Sequence, residues 1–365
     1  MKLKEGRMGV LEGSAAATVA LTVNGIFSPD AKYAYSEGNS TYVWVPASIL
    51  LSLIPVFVLS YSMERRSCGD LAEYADRTCG KAMGGVAVAL IVAGLIYCAA
   101  KPFTCFLEVL HRLVFDGVSY NAVLAFIFPV TVFAALKGFE CIGRLAAVFG
   151  GLLLISILTA IASAAPTYES YRLYPLMGDG ALSLLRSTAS QTLAALPPLL
   201  GLLASARGLN GIRYARKCAA ASALISSFIC GAVQLALGLT YTYKTLSGLL
   251  MPLYRINFLS LSQNYALRLD KLFIMVWLCG CVISSAYCIY CAARLHAGFF
   301  RSRDADPPLI AFSAVVCALM LAAYTKKYEA VSLTEHFTVR YGAAFVALPV
   351  IALASAGIIK SRVAL

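Results

Sequence analysis

Ten long apolar stretches run along this chain of 365 residues, and two of them, the first and the sixth, are interrupted by polar, Gly and Pro residues. Inside a bilayer every backbone polar group must be satisfied within the protein. A spanning helix is therefore broken only where the freed groups face a cavity or a ligand. Hydrophobic residues make up 60% of the chain and charged residues 13%, with a mean hydropathy of +0.78, which excludes an ordinary soluble domain. At roughly 20 residues per crossing, the chain reads as an all-α polytopic membrane protein with ten transmembrane helices and little room for anything else.

The predicted spans are 9–36 (interrupted), 41–61, 83–107, 119–136, 140–164, 182–206 (interrupted), 218–241, 271–293, 307–324 and 341–359. Their direction follows from the positive-inside rule. With a cytoplasmic N-terminus, Lys2, Lys4 and Arg7, the even-numbered connections and the C-terminal Lys360 and Arg362 place 18 basic residues inside, against 10 outside. Both termini are thus predicted to be cytoplasmic, although the basic outer connection at 242–271 dilutes the bias. The net charge of +12 is mostly this topology signal. It is spread over short loops and does not form the patch that nucleic acid requires. Met1–Arg7 is basic like the start of a signal peptide, but the apolar run continues past Gly25, so the first span is predicted to be retained.

Of the 12 cysteines, Cys98, Cys105, Cys230, Cys279, Cys281, Cys288, Cys291 and Cys317 fall inside spans. Cys288 and Cys291 share a helix with Cys281 one heptad earlier. Structural zinc takes four ligands, usually in a loop-rich knuckle, and thiols within spans act as small apolar packing residues. Cys68 and Cys79 fall in a predicted cytoplasmic loop, where thiols stay reduced. His111, His296 and His336 have no ligand spacing. No metal or other cofactor is predicted. No nucleophile–base pair or phosphate loop is present either, so the sequence does not read as an enzyme.

Breaks in spans one and six divide ten spans into two five-helix halves, about 9–164 and 182–359, within a single membrane domain covering 1–365. Inverted-repeat transporters are built this way, with the site where the two broken helices cross near the midplane. No internal sequence repeat is visible. The first break is Thr22-Val-Asn24-Gly25-Ile26-Phe-Ser28-Pro29-Asp30; the second is Ser187-Thr-Ala-Ser190-Gln191-Thr192, followed by Pro197-Pro198. Gly tolerates positive φ and Pro lacks an amide donor, so both segments are suited to freeing backbone groups. Gly and Pro are also common in uninterrupted membrane helices. On the outer side, Tyr241 and the following residues 242–270 mix Tyr243, Tyr254 and Tyr265 with apolar residues. They read either as a surface helix that lids the mouth or as an interfacial aromatic belt.

Three motifs carry a family resemblance. Lys137-Gly-Phe-Glu140-Cys-Ile-Gly-Arg144 opens the fifth span, with Glu140 and Arg144 at ion-pair spacing on a helix. Tyr171-Arg-Leu-Tyr-Pro175-Leu-Met-Gly178 precedes the sixth span, and Arg268-Leu-Asp270 leads through Phe273 to Trp277 in the eighth. In this order and with this span count, the chain resembles the GerAB-type spore germination permeases, members of the amino acid–polyamine–organocation (APC) superfamily. Leu267 stands where members often carry an acid, and the alanine-rich start of span one is atypical. The resemblance covers essentially the whole chain. It implies a 5+5 inverted repeat of the LeuT/APC-like kind with helices 1 and 6 broken. It also implies the membrane subunit of a germinant receptor in the inner spore membrane. Such a subunit binds a nutrient, usually an amino acid, and works with a large soluble-domain germination subunit and a germination lipoprotein.

For an amino acid, the site needs donors for a carboxylate and acceptors for an ammonium. Amides near Asn24, Gly25 and Ile26 would serve the carboxylate, and carbonyls of the two breaks with Thr22 or Gln191 the ammonium. Tyr97, Ala100 and Lys101 of span three, Ser284, Ser285 and Tyr287 of span eight, and Leu196 of span six are predicted to close the pocket. Lys101 follows the apolar run Gly84–Ala99. Either it is a buried cation that stands in for a coupling ion or holds a carboxylate, or span three is short and Lys101 snorkels to an interface. The competing function on the same fold is a proton- or sodium-coupled amino acid transporter.

Overall fold

The computed structural model describes residues 8–26, 39–113, 119–178, 180–247, 269–300, 306–323 and 346–363, together with positions 249, 252–253 and 255–256. Regular structure among these residues is helical. In chain order the helices are α1 (Val10–Ile26), α2 (Thr41–Leu51), α3 (Leu53–Arg65), α4 (Leu71–Leu113), α5 (Tyr120–Leu136), α6 (Phe139–Ala164), α7 (Ala181–Ala204), α8 (Ile212–Thr240), α9 (Leu269–Phe300), α10 (Asp306–Ala323) and α11 (Leu348–Val363). Short 3-10 turns and a four-residue helix at Tyr243–Leu246 complete the set.

Each predicted span has a helix in it. Five segments are long and apolar enough to cross a membrane by themselves: Thr41–Arg65, Leu71–Thr104, Phe139–Thr167, Ile212–Thr240 and Phe273–Phe300. Shorter apolar helices lie at Val10–Ile26, Asn121–Leu136, Pro308–Ala318 and Leu348–Gly357, and α7 occupies the sixth predicted span. Several bounds differ from the prediction: α4 runs on to Leu113, α8 starts at Ile212 and α9 runs to Phe300; two further differences have a local cause. The second span bends between α2 and α3 at Ser52, because Pro55 cannot donate to the carbonyl of Leu51. The supposed loop before span three contains the helical start of α4, which turns at Gly80 (φ 75°, ψ 179°), a conformation only glycine adopts without strain. Asp70 caps that start, its Oδ1 accepting from the Glu73 amide at 2.8 Å, and Leu71, Ala72, Tyr74 and Ala75 bury its apolar side.

Burial separates the helices that form the core from those that face lipid. In the most apolar stretch of α9, 72% of residues are buried, against 22% in α6. Accordingly α9 packs on α4, α1, α6, α5, α10 and α7, with α4 its largest partner, and α1 is held mainly by α8, α6 and α9. Side-chain donors tie these helices together at backbone carbonyls. Ser285 Oγ donates to the Ala99 carbonyl at 2.6 Å, Tyr287 Oη to that of Pro198 at 2.7 Å, and Ser226 Oγ to that of Thr18 at 3.1 Å. The buried thiols of Cys98, Cys218, Cys230, Cys281, Cys288, Cys291 and Cys317 fill gaps in the same interior.

The connections gather at two ends as the alternation of spans requires. At one end Met8 donates its amide to the Gly208 carbonyl and packs on Gly143, joining the starts of α1 and α6 to the α7–α8 turn. There Arg207 bridges Asp70 and Glu73 at 2.9 Å each, and Glu64 pairs with Arg213 and Arg216. The predicted Glu140–Arg144 pair forms at this end too. Burial pushes the Cys68 thiol there above its ordinary pKa. At the opposite end Asn39 Nδ2 donates to the carbonyls of Arg172 (3.0 Å) and Gly238 (3.3 Å), and Arg172 pairs with Glu169. The proposed lid or belt at 242–270 lies largely outside the described residues.

The cap at α4 yields a test. Asp70→Asn retains an oxygen for the Glu73 amide and is expected to leave thermal unfolding in detergent almost unchanged. Asp70→Ala removes the cap as well as the pair between the buried Asp70 and the exposed Arg207, and is expected to cost about 1 kcal/mol. Equal losses in the two variants would place the contribution in the charge and not in the cap.

Candidate functional site

A narrow cavity opens where α1, α2, α4 and α7 meet. Leu21, Asn24 and Gly25 line it from α1, Val45 and Ile49 from α2, Tyr97, Cys98 and Lys101 from α4, and Gln191, Ala194 and Ala195 from α7. Each set follows helical spacing, so a single face of each helix is presented. In this conformation the cavity has room for about one water molecule, and is therefore occluded.

The α1 wall is set by three contacts. Thr22 Oγ1 donates to Ser226 Oγ (3.2 Å), and the Cys230 thiol lies 3.9 Å from the Thr22 carbonyl, so Thr22 faces α8 and not the cavity. Gly25 allows the close approach, since a Cβ there would stand 2.9 Å from Cys230 Sγ. Asn24 Nδ2 donates to the Ala20 carbonyl (2.9 Å) and to Ser284 Oγ of α9 (3.2 Å). Its Oδ1 is buried and has no hydrogen-bond partner among the described residues. An unmatched buried acceptor costs about 1–3 kcal/mol, which a donor entering the cavity would recover.

Prolines shape the other two polar walls. Pro102 lacks the amide that would bond the Cys98 carbonyl one turn back; of the adjacent α4 carbonyls, Ala99 accepts from Ser285 of α9 and Ala100 from Thr104 Oγ1 of the same helix (3.0 Å). Lys101 is 6% exposed and lies in the cavity wall, one turn after Tyr97. In α7, Pro197 and Pro198 deprive the carbonyls of Leu193 and Ala194 of their helical donors. The Cys98 thiol, at 3.7 Å, faces the second of these.

The interruptions predicted in spans one and six take a different form here. Thr22–Ile26 belong to α1 and Ser187–Thr192 to α7, both helical, and Phe27–Asp30 lie outside the described residues. Thr188 and Thr192 bond back to the carbonyls of Leu184 and Thr188, both at 2.7 Å, which keeps their hydroxyls on the helix. The amides of Asn24, Gly25 and Ile26 are therefore committed to α1 instead of being offered to an anion. In α7 the proline-released carbonyls belong to Leu193, which is not among the lining residues, and to Ala194, which faces the Cys98 thiol.

Of the predicted site residues, the structure brings Asn24, Gly25, Tyr97, Lys101 and Gln191 together around the cavity. Ser284 stands behind it, holding Asn24, and Ser285 fastens α9 to α4. Thr22, Ile26, Ala100 and Leu196 lie outside its wall; Ala100 and Leu196 are buried in helix packing. Sequence reasoning missed Leu21, Val45, Ile49, Cys98, Ala194 and Ala195. Cys98, Ala194 and Ala195 were reachable by helical spacing from Lys101 and Gln191. Val45 and Ile49 sit in a mostly apolar segment whose pattern does not show which face points inward.

The profile of a family described as spore germination protein matches residues 30–330 of the chain. The chain belongs to that family. No curated protein sequence matches it. Among solved structures, this spore germination family member is similar to the substrate-bound outward-open state of a Na+-coupled sialic acid symporter. The TM-score is 0.70 at 10% identity, covering 99% of this chain and 91% of the other. It is also similar to MHP1, a nucleobase-cation-symport-1 family transporter, closed with bromovinylhydantoin bound (TM-score 0.72, 14% identity, 99% and 80% covered). A third is the Eremococcus coleocola manganese transporter (TM-score 0.63, 14% identity, 96% and 86% covered). At such identities the likeness is one of fold. Together with the apolar helices, it makes this chain a multi-pass membrane protein with the all-α, LeuT/APC-like permease fold.

The α1–α8 approach can be tested by a double-mutant cycle. Gly25→Ala is expected to lower stability by about 1–3 kcal/mol through overpacking against Cys230. Adding Cys230→Ala should return part of that loss, a coupling read from thermal unfolding of the four proteins in detergent.

Proposed function

We propose that this chain is the membrane subunit of a spore germinant receptor, and that a small zwitterionic nutrient, an amino acid, binds in the α1–α2–α4–α7 cavity. The observation that carries the proposal is the pairing of a buried lysine with an unmatched buried acceptor on the walls of one occluded cavity. Lys101 Nζ would take the carboxylate. Asn24 Oδ1 would take the ammonium. Val45, Ile49, Ala194 and Ala195 leave a small apolar wall for the side chain.

Because the cavity as it stands admits little more than a water, binding requires a wider state. The ligand acts by favouring one state over the other, to the extent of its difference in affinity for the two. We place the chain in the inner spore membrane with ten crossings in two five-helix halves and both termini in the cytoplasm. A large soluble-domain subunit and a lipoprotein would read the change. The fold shared with symporters keeps coupled amino acid transport as the other outcome of the test.

The test uses the full chain in proteoliposomes with a labelled mixture of amino acids, and thermal unfolding with the same compounds. A sensor is expected to be stabilised by one or a few of them, by about 2.7 kcal/mol at a hundredfold excess over Kd, with no accumulation inside the vesicles. Lys101→Met should remove the stabilisation, and Asn24→Ala should weaken it. Concentrative uptake driven by a proton or sodium gradient would make the protein a transporter. Undiminished stabilisation of Lys101→Met would place the ligand elsewhere.

A further inference from the structure

A second concavity lies away from the cavity, on the lipid side of the basic end. It follows one face of α6 together with Lys137 at the end of α5: Lys137, Glu140, Cys141, Arg144, Leu145, Val148 and Phe149. These positions recur every three or four residues, so they form a single stripe roughly three turns long. Its two halves differ in chemistry. The first carries two cations and one carboxylate; the second is wholly apolar, and Val148 is 65% exposed.

The depth of each half in the membrane follows from the helix. The apolar span begins at Phe139, which puts Lys137, Glu140 and Arg144 at the membrane surface and Leu145, Val148 and Phe149 below it. Helical side chains lean toward the N-terminus, so Arg144 reaches back to the surface, where it meets Glu140 Oε1. Lys137 Nζ sits 5.0 Å from the centre of the Phe133 ring. Neither contact uses up its cation. The pair is exposed and worth little in free energy, only one Glu140 oxygen meets the guanidinium, and an ammonium over a ring keeps its outward donors. The groove therefore presents a net positive rim above an apolar trough on the least buried of the five long apolar segments among the described residues.

We infer that this groove holds one anionic phospholipid of the leaflet at the basic end, its phosphate between Lys137 and Arg144 and an acyl chain along Leu145, Val148 and Phe149. Charge complementarity sets the headgroup: two cations favour a phosphodiester with no cationic headgroup of its own. Glu140 opposes the phosphate, and so limits the affinity while orienting Arg144. Phosphatidylglycerol fits this rim better than phosphatidylcholine, whose choline would bring a third positive charge. Cys141, half-buried in the groove wall, would be covered by the bound lipid.

The experiment reconstitutes the full chain in nanodiscs of phosphatidylcholine alone or mixed with phosphatidylglycerol. It reads the lipid retained after mild detergent extraction by native mass spectrometry, and alkylation of Cys141 by peptide mapping. Phosphatidylglycerol should be enriched over phosphatidylcholine, and should slow alkylation of Cys141. Lys137→Gln with Arg144→Gln should reduce the enrichment by roughly 25-fold, about fivefold per cation, and restore the labelling rate. Glu140→Gln should raise the enrichment, a gain that general damage does not produce and that keeps the test open if the double variant folds poorly. Unchanged enrichment in a well-folded double variant overturns the inference, as does a fall with Glu140→Gln. So does equal protection of Cys141 by soluble glycerol phosphate, which would make the site one for free phosphate.

Discussion

In a bilayer a carbonyl that loses its helical donor finds no water to replace it, and this chain creates such carbonyls deliberately with prolines in α4 and α7. Of these, the Ala194 carbonyl faces the Cys98 thiol. Around the same prolines the carbonyls of Ala99, Pro102 and Pro198 face Ser285, Cys281 and Tyr287 of α9. Helix α9, the most buried of the five long apolar segments, thus carries donors to two proline-bearing helices at once. The cavity sits beside that seam, on the side of α4 and α7 that α9 does not cover, which is why small polar groups converge there within an apolar molecule.

How much of this could be read in the sequence depends on whether polarity or only packing is at stake. Helix positions were legible, since runs of apolar residues of membrane length leave few alternatives. Asn24, Lys101 and Gln191 stood out because a polar side chain in such a run must have a purpose. The start of α4 was misread as loop: its amphipathic pattern is short and ends in a glycine, and only the Asp70 cap and the burial of Tyr74 show it to be helix. The form of the interruptions was also misjudged. A run of Ser, Thr and Gln can unwind a helix or stay within it, and here the threonines bond back to their own helix. The α2 wall was invisible, because Val45 and Ile49 differ in nothing but direction from neighbours that face lipid.

Glycine and cysteine act together in the tightest contact of the cavity's rear. Gly25 brings the α1 backbone against Cys230 at a distance no larger residue would allow, and Thr22 and Ser226 complete the seam. Removing either side alone leaves a clash or a void. The polar face of Asn24 is thus positioned from behind by packing and from the side by Ser284, which is the supporting layer a precise site needs.

The charged clasp at the basic end gives the molecule a mechanical property that no single contact has. Helices α4 and α7 both wall the cavity, with Lys101 and Gln191, and both return to the same place on the surface, where Arg207 just beyond α7 grips Asp70 and Glu73 at the start of α4. Cavity and clasp are the two corners of a closed linkage about 25 Å long on the α7 side, at 1.5 Å per residue. A frame of that kind cannot widen at one corner and keep its shape at the other. Anything that pries the cavity apart must flex a strut at Gly80 or at Pro197–Pro198, or else deliver the displacement, undiminished, to a cluster of exposed charges that a neighbouring protein can feel.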